Sequence, residues 1–147
     1  MKNYLLSTIL SAVSVMAISN NNVEANETFT VKIRIKVEQE VLTATMLNTE
    51  TSCDFLSMLP LKLHMKDYSG TEKISDLPRR VSTENAPSGC DPSVGDIAYY
   101  SPWGNLAVFY NNSGYANGLV KLGSIDGGIE KLASRQGDFE AVFELMD

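Results

Sequence analysis

Few residues of this chain carry the chemistry that a catalytic or metal centre needs. His64 is the one histidine, and Cys53 and Cys90 are the two cysteines. That inventory holds no zinc or copper ligand set, and no cofactor is expected. A Ser-His-Asp triad would have to use His64, yet no Gly-x-Ser-x-Gly surrounds a serine. Gly123–Gly128 lacks the spacing of a phosphate or dinucleotide loop. Glu72, Asp76, Glu84 and Asp96 are scattered acids that read as ordinary loop and turn carboxylates. Binding chemistry is better represented. Tyr99, Tyr100, Trp103, Phe109 and Tyr110 crowd one short stretch, and Glu72, Arg79 and Asn105 could add fixed polar groups. Apolar pockets with a few such groups are the usual ligand sites. The candidate binding residues are therefore Glu72, Arg79, Tyr100, Trp103, Asn105 and Tyr110, with a peptide or small molecule as the partner. Each ring could equally serve core packing, and alternation lets no more than half of them share a face.

The elements that must position these residues read as β-strands. Ile97–Tyr100 and Leu106–Tyr110 are short β-branched, aromatic and aliphatic runs. Between them, Ser101-Pro102-Trp103-Gly104 has turn chemistry, with serine first, proline second and glycine fourth. Trp103 then lies on a hairpin tip, either folded back onto the core or offered to a partner. Phe29, Val31, Ile33, Ile35 and Val37 alternate with Thr30, Lys32, Arg34 and Lys36, a strand with one buried face. Val41–Met46 reads as its partner. Leu59, Leu61, Leu63 and Met65 alternate with Pro60, Lys62, His64 and Lys66, which puts His64 on a solvated face. Phe139, Ala141, Phe143 and Leu145 form the last strand, and its outer residues are acidic where those of the first are basic. Such pairs contribute only about 0.2–1 kcal/mol each, but they suggest that the chain ends pair and close a barrel. Two short helices are expected as plugs, about Ser52–Met58 with Thr51 and Asp54 as a weak capping box, and Ile129–Ser134. Asp67–Cys90 reads as one short strand and long loops.

The beginning of the chain reads as a leader. Lys2 precedes a mostly apolar Leu5–Ile18, and Val23-Glu24-Ala25 fits a small-x-small cleavage site, so the cut is placed after Ala25. The expectation is a signal peptide over residues 1–25 and one domain over 26–147, exported to a periplasm or secreted, with no stable membrane insertion after cleavage. The net charge of −6 argues against nucleic acid or an anionic membrane as partner. A monomer is expected. In an oxidising compartment the even pair Cys53 and Cys90 is first read as a disulfide. The chain-entropy model gives such a bridge about 4 kcal/mol of stabilisation. The alternative is a reactive Cys53 thiol near a helix N-terminus.

Several motifs resemble the cyclophilin-like family of small bacterial proteins. They include Leu59-Pro60-Leu61, Gly70-Thr71-Glu72-Lys73-Ile74, Leu77-Pro78, Ser82-Thr83-Glu84, Gly95-Asp96 and Pro102-Trp103-Gly104-Asn105. Gly118–Gly123 and Ile125–Ile129 continue the pattern, which covers about Phe29–Leu145. The resemblance implies a mainly β fold, a closed antiparallel cyclophilin-like barrel with two short helices. That family usually lacks cysteine at both positions that carry it here. The fold also raises peptidyl-prolyl isomerase activity as an alternative to a non-catalytic binding module. An isomerase must lower a barrier of about 20 kcal/mol. Cyclophilins do so with an arginine in an apolar groove, within a Phe-His-x-Ile-like strand that is absent from this sequence. Arg79 and Arg80 are the nearest candidates, in a charged loop after Pro78.

Overall fold

A computed structural model describes residues 30–147. The leader, its cut after Ala25, and Phe29 lie outside the described residues. Ten strands and two helices follow in order: β1 (Val31–Val37), β2 (Glu40–Met46), α1 (Glu50–Leu56), β3 (Leu61–Tyr68), β4 (Glu72–Asp76), β5 (Gly89–Cys90), β6 (Asp96–Tyr100), β7 (Asn105–Phe109), β8 (Ala116–Asn117), β9 (Leu119–Ile125), α2 (Glu130–Ala133) and β10 (Phe139–Leu145). Eight of the strands close an antiparallel barrel in the order β1-β10-β3-β4-β7-β6-β9-β2, and β5 and β8 pair separately. The terminal strands meet as their outer charges suggest. Arg34 stands opposite Glu144, and Lys36 Nζ lies 2.8 Å from the Glu144 carboxylate.

Alternation fills the lumen. Ile33, Ile35 and Val37, Leu63 and Met65, Ala141 and Phe143 all turn inward and are buried. β6 and β7 depart from this pattern, because nearly every residue in both is buried. Their inner residues Ile97, Tyr99, Leu106 and Val108 join the lumen. Their outer residues Ala98, Ala107 and Phe109 form a second cluster with Ile74 and Leu119. The small β5–β8 sheet covers part of that cluster, with Cys90 and Ala116 packed against it. A strand covered on both faces loses its polar alternation.

The helices plug the two ends. α1 starts two residues earlier than the sequence suggests, because Thr49 rather than Thr51 is the N-cap and accepts the Ser52 N–H at 3.2 Å. Phe55 then drops into the lumen, edge-on to Phe143 at 6.4 Å, and Ser52 Oγ donates to the Leu122 carbonyl. α2 buries Leu132, and the following Arg135 reaches Glu38 in the β1–β2 turn. No helix among the described residues is long and apolar enough to cross a membrane.

The disulfide expected between Cys53 and Cys90 is not formed, and both thiols are free. α1 turns Phe55 rather than Cys53 toward the barrel. Cys53 is left exposed beside Asn48, while Cys90 is fixed in β5 by pairing with Ala116. Burial, and secondarily the Asp96 charge, push the Cys90 thiol above its ordinary value.

Candidate functional site

The hairpin tip is built by the Pro-Trp-Gly sequence, one residue out of the expected register. Tyr100, not Ser101, opens the turn: its carbonyl accepts from Trp103 N–H at 3.3 Å and Gly104 N–H at 2.9 Å. Gly104 closes it at φ +69°, a left-handed conformation that costs glycine little. Trp103 is thereby held out from the barrel wall with 55% of its surface exposed. Its ring stands edge to face with Tyr100 at 5.3 Å and with Tyr68 at 5.4 Å, nearly perpendicular to both.

These three rings wall one side of a trough of about 370 Å³ on the outer face of β4, β6 and β7. Phe109 and Leu119 contribute its apolar lining, and the loop carrying Ser113 and Tyr115 flanks it. Glu72 and Asn105 also line it. Both belong to the outward set of their strands. Glu72 is opposite Phe109 across the β4–β7 ladder, and Asp76 is opposite Asn105. Four residue steps along β7 therefore separate the two backbone positions, about 13 Å at the rise of an extended strand.

The two differ in chemical state. Burial is the largest influence on Glu72 and raises its carboxyl above the ordinary 4.5; the Thr71 hydroxyl bond, at 2.6 Å, opposes this, and the Asp67 charge adds to it. Asn105 is only 3% exposed. Its Oδ1 is buried without a hydrogen-bond partner among the described residues. No lysine, arginine or histidine lines the trough.

Four of the six expected binding residues, Glu72, Tyr100, Trp103 and Asn105, thus meet in one place. Arg79 does not join them. Its guanidinium forks onto Asp54 at 2.9 and 3.0 Å and reaches Ser57 Oγ, tying α1 to the segment after β4. That bond raises Arg79 and lowers Asp54 from their ordinary values. Tyr110 is also elsewhere, because it follows Phe109 and turns to the opposite face. Its hydroxyl donates to Asp67, which is the main reason its phenol is pushed up to about 12. Tyr99 is a core residue whose hydroxyl accepts the Val81 N–H. His64 is exposed and faces Asp138 at 2.9 Å. No group of three His, Cys, Asp or Glu side chains is gathered for a metal among the described residues.

Tyr68 and Tyr115 are site residues that the sequence reading missed. Continuing the alternation of Lys62, His64 and Lys66 by one step would have put Tyr68 outward. Tyr115 is in a loop and gives no periodic signal. A second cavity, about 320 Å³, lies beyond Leu119 and includes Cys90 and Pro87. Two of its polar groups are engaged, Asn85 with Glu50 and Lys121 with Asp96.

The description of the cyclophilin-like family matches residues 35–144. The chain belongs to the cyclophilin-like family. A solution structure of a hypothetical protein from Archaeoglobus fulgidus is similar in fold, with a TM-score of 0.61 at 17% identity. The likeness covers 83% of this chain and 99% of that one. No curated protein matches. In this cyclophilin-like chain neither Arg79 nor Arg80 lines the trough, and Arg80 donates to the Ser101 carbonyl at 2.8 Å.

Proposed function

We propose that this cyclophilin-like chain is an exported, monomeric, non-catalytic module that binds a peptide or small ligand in the trough beside Trp103. The aromatic trough carries the reading: it holds about 370 Å³ and is lined by Tyr68, Tyr100, Trp103, Phe109 and Leu119, with Glu72 as its one charged group. Apolar pockets with a few polar groups are the usual ligand sites. Trp103 supports the same reading, because its ring is packed edge-on against neighbours yet half exposed. The apolar leader sequence and its Val23-Glu24-Ala25 site support export.

Trp103 is the only tryptophan of the chain, so emission excited beyond the tyrosine absorption band reports on this site alone. A peptide and fragment library titrated into the purified protein is expected to yield ligands that shift that emission and bind Tyr100→Ala more weakly. Ligands that bind without moving Trp103, and equally well to the variant, would place the function elsewhere. Acceleration of proline isomerisation, abolished in Arg79→Ala, Arg80→Ala, would replace the binding reading with an enzymatic one. Recovery of the cellular protein with its first residues intact would remove export.

A further inference from the structure

Resting on that binding reading, we infer that the trough takes a basic residue of an extended peptide. The ammonium or guanidinium would lie at Glu72 and the aliphatic stem along Phe109 and the aromatic wall.

The charge of the lining comes first. It offers one carboxylate and no cationic side chain, on a chain whose net charge is −6. An anionic ligand would meet repulsion and find no donor of opposite charge. The rings agree: Tyr68 and Tyr100 stand nearly perpendicular to Trp103, so π-faces and edges of different orientation bound one space. Electron-rich faces attract cations and also pack against methylene stems.

The shape of the trough comes next. Asn105 Oδ1 is enclosed by protein and out of a ligand's reach, which leaves Glu72 as the charged acceptor. The lining runs along β7 from Phe109 to Asn105, about 13 Å at the rise of an extended strand and longer than one small cation. A lysine or arginine side chain puts a cationic donor at one end of that length and an apolar stem along it. Exposed Tyr115, at 62%, stands on the flanking loop where a peptide would continue.

The probes are acetyl-lysine methylamide, its arginine and norleucine counterparts, its glutamate counterpart and n-butylamine. Binding is read by Trp103 fluorescence. The lysine or arginine probe is expected to bind about tenfold tighter than norleucine, a charge-assisted bond's worth. Glu72→Gln should erase that advantage. The lysine probe should also outbind n-butylamine, which has the cation and stem but no peptide backbone. Norleucine or glutamate binding as tightly as lysine, with a saturable shift of Trp103 emission, would overturn the basic-residue inference and leave a binding module standing. A lysine preference that survives Glu72→Gln would overturn it as well. If no probe moves Trp103, both the inference and the trough as a binding site fall.

Discussion

At the scale of single residues, Glu72 links folding to binding through its charge. Its carboxyl titrates above its ordinary 4.5 chiefly because it is half-buried. The fold therefore favours the protonated form. Its contribution to stability is fullest below the unfolded value and is lost as pH rises through the raised folded one. Glu72→Gln is accordingly expected to unfold at a higher temperature than the native protein at neutral pH, with the difference vanishing in acid. Binding of a basic probe has the opposite dependence and should weaken as pH falls through the same interval, because it needs the ionised carboxylate. Trp103→Ala should abolish probe binding, followed by titration calorimetry, while lowering stability by no more than about 1–3 kcal/mol, the worth of two ring pairs on a half-exposed side chain. A larger thermal loss would make Trp103 a packing residue. Trp103 and Asn105 were legible as site residues because the turn chemistry and the strand start fixed their places. Arg79 was not, because its partner Asp54 lies on a helix whose facing the sequence left undetermined.

At the scale of elements, the end of the barrel near α2 is closed by a buried lysine. Lys73, 2% exposed, turns inward from β4, donates to the Arg135 carbonyl at 2.8 Å and approaches Asp67 at 3.2 Å. The rings of Tyr110 and Phe139 flank its ammonium at 5.3 and 5.9 Å. Lys73→Ala opens a cavity and should cost about 2–5 kcal/mol in a denaturant titration. Lys73→Met fills the stem's volume and should cost far less, since Asp67 is left facing solvent. Equal losses would show that the charge, not the volume, closes this end. Strand identity was readable here from alternation, yet a lysine on an inner position breaks the apolar pattern. For that reason β4 was expected only as a short strand somewhere in a loop-rich region. β6 and β7 gave the complementary signal: uninterrupted burial marks strands with something packed outside them, and the β5–β8 flap is that covering.

At the scale of the whole molecule, closure depends on a close approach between β2 and β9. Met46 is opposite Gly123, and a Cβ on Gly123 would fall 2.5 Å from the Thr45 carbonyl oxygen and 2.7 Å from Met46 Sδ. Gly123→Ala should destabilise by at least about 1–3 kcal/mol, measured by chemical unfolding. An unchanged midpoint would mean that the two strands can part at no cost. Barrel closure itself was legible, because opposite outer charges on the first and last strands announced their pairing. The free thiols were not, since cysteine number says nothing about which way α1 faces. Closure also has an order in time. β10 lies between β1 and β3, and of the eight barrel strands it is the last in chain order. Until it arrives, both neighbours are open edges, the condition in which strands recruit foreign chains. Lys32, Arg34 and Lys36 on one edge and Lys62, His64 and Lys66 on the other then act as guards that repel a second copy. When β10 inserts, Glu140 comes within 3.2 Å of Lys62 and Glu144 within 2.8 Å of Lys36, and guards on each edge become latches.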